Sequence, residues 1–267
     1  MPNTLSKIKR SRLIGYLLII CLAIAAIIGP ELIDKDPAKQ SLFSILQAPS
    51  LEHPLGTDHL GRDMAARLLS GAQLSLSLAF LSVITAGLPG TLLGLIAARF
   101  GGWTDRILGA FADSVMALPG LLLVLMLVAI SPGSWWALYV GISLTLWVEY
   151  FRYTRQRARI VLAEPSVEAS QMLGLGSWLL LRRHLLPEIG PGILTIAAFG
   201  AATAVTAVAA LGFISVGIRP PTAEWGGMMT ELLPYWREAP FLILQPIICL
   251  VVTVLALHLT VGDARRP

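Results

Sequence analysis

Glu168-Ala169-Ser170-Gln171-Met172-Leu173-Gly174, then nine residues, then His184-Leu185-Leu186-Pro187, is the stretch on which the fold turns. Ser166 is placed to cap a helix starting near Val167. Glu168 then lies in the first turn, where a carboxylate meets the positive end of the helix. Gly174 and Gly176 end that helix. Trp178 to Leu186 forms a second short helix, and Pro187 begins the exit. The result is a helix-turn-helix with small residues at its bend. Physics alone leaves two readings open: a docking element, or a basic amphipathic loop resting on lipid headgroups.

On both sides of this stretch the chain is strongly apolar. Of its 267 residues 55% are hydrophobic and only 13% are charged, about half the charge of a soluble protein. A transmembrane helix needs about 20 mostly apolar residues, and six segments qualify: 12–28, 74–98, 107–130, 135–151, 193–214 and 241–261. The expected fold is therefore all-α, a polytopic membrane protein of about six helices with a long cytoplasmic loop. Its parts are a cytoplasmic N-terminus (1–11), a first helix (12–30), an external loop (31–71), a five-helix core (72–262) holding the inner loop at 160–190, and a cytoplasmic tail (263–267). The run from Leu13 to Ile28 is long for a signal peptide, and no small-x-small site follows Pro30, so a retained helix is expected. Cys21 and Cys249 sit in apolar runs as small filler and form no metal or disulfide pattern.

Orientation follows from basic residues. With the N-terminus inside, the inner segments hold Lys7, Lys9, Arg10, Arg12, Arg99, Arg106, Arg152, Arg155, Arg157, Arg159, Arg182, Arg183, Arg265 and Arg266. The outer segments hold Lys35, Lys39, Arg62, Arg67, Arg219 and Arg237. The bias places both termini in the cytoplasm. The net charge of +4 is spread between apolar runs rather than gathered in a stripe, which argues against a nucleic-acid partner. The outer segments contain a short amphipathic stretch near Arg62 to Leu69 and a Pro-, Gly- and Trp-rich loop from Arg219 to Pro240. Long ordered loops tend to be functional.

The segment first quoted resembles the E-A-A loop of ABC importer permeases, matching at Glu168, Ala169, Gly174, Leu186 and Pro187. It departs at Ser170, where Ala is usual, and at His184, where Ile is usual. The resemblance implies that 165–187 is a coupling helix docking on an ATP-hydrolysing subunit. His53-Pro54-Leu55-Gly56-Thr57-Asp58-His59-Leu60-Gly61-Arg62-Asp63 resembles the segment before the second helix in dipeptide, oligopeptide and nickel permeases. Gly56, Thr57, Asp58, Gly61, Arg62 and Asp63 would shape the outer mouth as a self-satisfied polar turn, with His53 and His59 not acting as metal ligands. Pro220-Pro221-Thr222-Ala223-Glu224-Trp225-Gly226 looks like the outer loop before that family's last helix, with Pro221, Glu224, Trp225 and Gly226 as its marks. Trp225 and Trp236 also suit interfacial positions. Gly262-Asp263-Ala264-Arg265-Arg266 resembles a shortened form of the family's ending.

Charges within spans are costly in hydrocarbon and need an account. Glu149 and Arg152, one turn on, are expected to pair or to reach the interface by snorkelling. Asp113 is expected to face the bundle interior or inner vestibule, in packing or gating. His258 reads as an interfacial residue. The chain lacks a G-x-x-x-x-G-K-[ST] phosphate loop and any Ser-His-Asp or metalloprotease spacing. It is expected to have no catalytic residue, no metal and no cofactor of its own.

The resemblance implies a pore subunit of an importer in a bacterial plasma membrane. A second, homologous permease, ABC ATPases that bind ATP and Mg, and an extracytoplasmic solute-binding protein complete it, with membrane lipid around. The cargo would be nickel, a metal chelate or short peptides, and the wording of 222–226 leans to the metal branch. The rivals are a proton-coupled carrier and a membrane-embedded enzyme. A carrier needs no docking helix, and an enzyme needs paired polar groups at matching depth.

Overall fold

The computed structural model describes residues 2–261; the tail 263–267, with Arg265 and Arg266, lies outside them. The described chain is built from helices: α1 (Pro2–Ile33), α2 (Met64–Phe100), α3 (Gly102–Met116), α4 (Gly120–Ile130), α5 (Trp135–Leu162), α6 (Pro165–Met172), α7 (Ser177–Leu180), α8 (Leu186–Phe213), α9 (Trp225–Leu232) and α10 (Pro240–Val261). Four stretches are long and apolar enough to cross a membrane: Arg10–Ile33, Met64–Phe100, Ser177–Phe213 and Pro240–Val261. The pair α3 and α4 makes a fifth if counted as one span. α5 is long enough, but its apolar part ends at Val148 and is followed by Glu149, Arg152, Arg155, Arg157 and Arg159. It sits among the others against α2 and α8, which is compatible with six helices in the membrane.

Three expectations change. The segment 107–130 is not one straight helix: α3 and α4 meet at 76° across Ala117-Leu118-Pro119. Proline disfavours helical backbone in the residue before it, and Leu118 is that residue. The stretch near Arg62 is not a separate amphipathic helix. Asp63 caps α2 there, its carboxylate accepting from the Ala66 N–H, and the helix runs on unbroken to Phe100. Pro187 begins no exit either. α7 passes through a π-helical turn, Leu181–Leu185, directly into α8, and Pro187, which has no N–H to give the preceding turn, sits just after that widened turn.

Small residues bring the helices together. On α2, added Cβ atoms at Gly90 and Gly94 would meet the Trp147 and Phe151 carbonyl oxygens of α5 at 2.5 and 2.8 Å. With no hydrophobic drive between helices in lipid, such close backbone approach is what holds them. The core runs along this seam through Leu78, Leu138, Val148, Tyr150 and Phe151, and across to Val205, Val208 and Leu211 of α8. Outward-facing Leu17, Ile27, Phe80, Leu92, Leu194 and Ile248 remain exposed, as a lipid-facing surface requires.

Candidate functional site

At one end of the bundle, α6 and α7 form a hairpin clamped to the end of α5. Val167, Leu180 and Leu185 pack with Ala158 and Val161 as a small separate core. The cap of α6 is not the Ser166 hydroxyl. The chain enters through Glu164, whose side chain makes no cap bond, with Pro165 in the first turn. Glu168 lies in that first turn and, like Ala169, is exposed. At the other end Gly174 adopts φ +79°. Its N–H donates to Gln171 O at 2.9 Å, and the Leu175 N–H donates to Ser170 O at 3.1 Å, the bond pair of a Schellman stop. Beyond it, Met172 (79% exposed), Leu173 (82%) and Trp178 (68%) stand free of the small core.

The two departures from the family pattern meet each other. Ser170 Oγ lies 3.1 Å from His184 Nε2, across the hairpin. The sequence signal was present in the two departures occurring together, 14 residues apart.

At the opposite end, the segment 34–63 folds against the bundle. Gly56 and Gly61 have φ of +80° and +71°. A Cβ at Gly61 would overlap the Ser41 carbonyl, so only glycine fits there. Thr57 donates to the Ser44 carbonyl. Arg62 Nε donates to Asp58 at 2.6 Å, and Arg62 and Arg67 both donate to Glu231 Oε2, at 2.6 and 2.8 Å. Both arginines are 2% exposed. The turn is therefore not self-satisfied: Glu231 of α9 is the second counter-ion, and no local pattern announced it. Asp63 is also held by His53 at 2.8 Å and Lys35 at 3.0 Å. Burial pushes the Asp63 carboxyl up, but the Ala66 N–H, His53 and Lys35 outweigh it and hold it below its usual range.

Asp58, His59 and Glu231 bring their ligating atoms within 4.8 Å of one another. Two buried guanidiniums already balance the two carboxylates there, so the donor set does not suit a divalent ion. His59 instead stacks on Tyr235 at 5.2 Å between ring centres.

The loop before α10 packs at the same end. Glu224 caps α9, its two carboxylate oxygens accepting from the Gly226 and Gly227 N–H groups at 2.8 Å. Burial raises its pKa, with those two N–H groups opposing. Trp225 is buried rather than interfacial, donating from Nε1 to Leu68 O at 3.1 Å. Trp236 is 54% exposed. Gly226 packs so close to the Ala209 carbonyl that a Cβ would overlap it. Pro221 follows Pro220 through a cis peptide bond.

Within the bundle, two expected placements are corrected. Arg152 does not pair with Glu149; it donates to Asp113 at 2.5 Å. Asp113 is 70% exposed, so of the two places expected for it the bundle interior is excluded; α3 meets the core through Leu108, Ala112 and Val115, and Asp113 lies off that face. Asp105 takes Arg155 at 2.5 Å and also Arg159, tying α3 to the end of α5. Glu149 is left lining a cavity of about 420 Å³ between α4, α5, α8 and α10, with Thr145, Thr203, Thr206 and His258.

Residues 90–262 match the family described as binding-protein-dependent transport system inner membrane component. The chain is 32% identical over 262 residues to the dipeptide transport system permease protein DppC of Alkalihalophilus pseudofirmus, covering 97% of this chain and 86% of that one. It is 32% identical over 220 residues to the glutathione transport system permease protein GsiD of Pectobacterium atrosepticum, covering 82% and 73%. Its fold resembles a chain of the inward-facing MetNI methionine ABC transporter, with a TM-score of 0.56 at 20% identity over 72% of this chain and 92% of that chain. An apolar bundle with a glycine-stopped hairpin on one face and a charge-locked mouth on the other thus has close relatives by sequence, and the chain belongs to the family of inner membrane components of binding-protein-dependent transport systems.

Proposed function

We propose that this chain forms half of a pore for short peptides and takes its motion from partner ATPases through the hairpin 165–187. It is a multi-pass inner-membrane permease subunit, not an enzyme. It works with a second permease, with ATPase subunits that handle ATP, and with a substrate-binding protein. The observation that carries the coupling role is the apolar tip of Met172, Leu173 and Trp178, held on a rigid base by the Val167–Leu180–Leu185 core. An exposed apolar surface on a fixed support favours a protein partner. Glu168, Ala169 and Gly174 shape the hairpin, and Leu186 and Pro187 feed its movement into α8 without a break.

Both termini and the hairpin are assigned to the cytoplasm. The clusters around Asp58–Arg62–Glu231 and Glu224–Trp225 then close the outer mouth. Reporter fusions after Arg159 are expected to read cytoplasmic, and fusions after Asp36 and after Glu231 external. A cytoplasmic reading at Asp36 overturns the orientation.

Short peptides are preferred as cargo because the chain covers most of relatives named for dipeptide, di/tripeptide and glutathione transport. The 222–226 wording, which leaned to the metal branch, is accounted for by the Glu224 cap and the Trp225 packing, so it says nothing about cargo. A strain lacking this subunit is expected to survive a toxic dipeptide and to take up labelled nickel normally. Lost uptake of nickel or its chelate, with dipeptide sensitivity kept, moves the cargo to the metal branch.

A further inference from the structure

Among the acidic side chains of the long helices α3, α5 and α8, Glu149 stands apart. Asp105 is held by Arg155 and Arg159, Asp113 by Arg152, and Glu188 by Arg157. Glu149 has no hydrogen bond or ion pair with any described residue. Arg152, the cation one turn along the same helix, reaches across to α3 instead. Glu149 is exposed along the cavity it lines, so its carboxylate is open to a ligand there, and a lone acid among membrane helices points to function.

Its surroundings fit a passing ligand. The cavity of about 420 Å³ falls within the roughly 300–1,000 Å³ typical of small-molecule sites. Leu121, Val124 and Leu146 form apolar wall, while three threonines offer hydroxyls beside the carboxylate. The hydroxyl protons of Thr145 and Thr206 are engaged by backbone carbonyls, Ile142 O and Ala202 O, both at 2.8 Å. Their oxygens thus present lone pairs, which suit a donor rather than an anion. The Nδ1 of His258 is engaged by the Val254 carbonyl at 2.7 Å.

We propose that Glu149 is a transit site for a cationic group of the cargo, in the simplest case the α-ammonium of a peptide. The choice of ammonium rests on the peptide reading above; the cation preference of the cavity does not. One carboxylate without a fixed counter-ion attracts the ammonium as it leaves the outer mouth. It holds the group too weakly to trap it, since no second acid lines the cavity.

The test uses the assembled importer in proteoliposomes, with Cys21 and Cys249 replaced by Ala and Thr206→Cys as a reporter in the cavity. Cationic and anionic methanethiosulfonate reagents are compared, with modification of this chain read by mass spectrometry. Glu149→Gln, which keeps shape and removes charge, is expected to lower the cationic-to-anionic rate ratio about tenfold, as loss of a nearby unit charge requires. Glu149→Asp, which keeps the charge, is expected to hold the ratio near that of the unaltered chain, and absolute rates with the neutral, uncharged reagent are matched between variants to show that the cavity is intact. An unchanged ratio overturns the proposal. In uptake of alanyl-alanine, Glu149→Gln is expected to cut the maximal rate about tenfold with KM unchanged, and Glu149→Asp to restore part of it. Wild-type uptake by Glu149→Gln overturns the transit role. If the unaltered importer takes up no dipeptide, the peptide reading fails, and the reagent ratio alone decides the cation site.

Discussion

Gly174→Asp is expected to abolish ATP-driven uptake, by at least about 100-fold, while the chain stays folded in the membrane. Gly174 sits at φ +79°, and a Cβ built there meets nothing within 4 Å. The cost to folding is therefore the conformational one alone, about 1–2 kcal/mol, and Asp is among the residues that bear it best. The damage falls on the surface the bend presents. The new carboxylate lies beside Leu173 and Met172, both largely exposed and apolar. If that tip is buried against an ATPase, an unpaired charge enters an apolar interface, which costs far more than the bend itself. Gly174→Ala imposes the same backbone strain without the charge and is expected to lose less than about tenfold. Uptake, binding-protein-stimulated ATP hydrolysis and the amount of chain in the membrane are measured together. Normal uptake by Gly174→Asp in an intact complex contradicts the coupling role.

The contrast between those two variants shows what a sequence makes visible. Spans were legible because lipid imposes a one-dimensional demand for a run of apolar residues of a given length. The hairpin was legible because Gly174 and Gly176 are local stop signals, and the Schellman stop forms where they pointed. The bend between α3 and α4 had its signal in Pro119, overridden by the apolar run around it. With the bend unseen, the contact between Asp113 and Arg152 was unseen too. Glu149 was then given the cation that Asp113 holds. Helical spacing makes Glu149 and Arg152 neighbours, but long arginine side chains choose among partners in three dimensions. Ser170 with His184 and Trp225 with Leu68 likewise depend on how helices cross, which composition does not encode.

Glu231→Ala is expected to be the most destabilising single change in the Asp58–Arg62–Arg67–Glu231 cluster, by about 3–5 kcal/mol, the range for stripping one partner from a buried ion cluster. Glu231 lies 169 residues from Arg62 and 164 from Arg67, and one of its oxygens takes both. Without it, two guanidiniums that are 2% exposed share Asp58 alone. Neither can shed its proton, because an arginine stays charged in proteins. The repulsion between them is then screened neither by water nor by a second anion. The same cluster joins the folded loop 34–63 to α9, so its loss also frees the cover of the mouth. An exposed pair serves as control: Arg157 and Glu188 meet at 2.7 Å, a similar distance, but are 42% and 47% exposed. Glu188→Ala is expected to shift stability by no more than about 1 kcal/mol. Thermal unfolding of the purified chain is expected to show Glu231→Ala melting roughly 10 °C below the unaltered protein, with Glu188→Ala close to it. Equal shifts for the two variants would mean that burial does not set the strength of the Glu231 contacts, and the mouth would have to be held by packing of Trp225 and Gly226 instead.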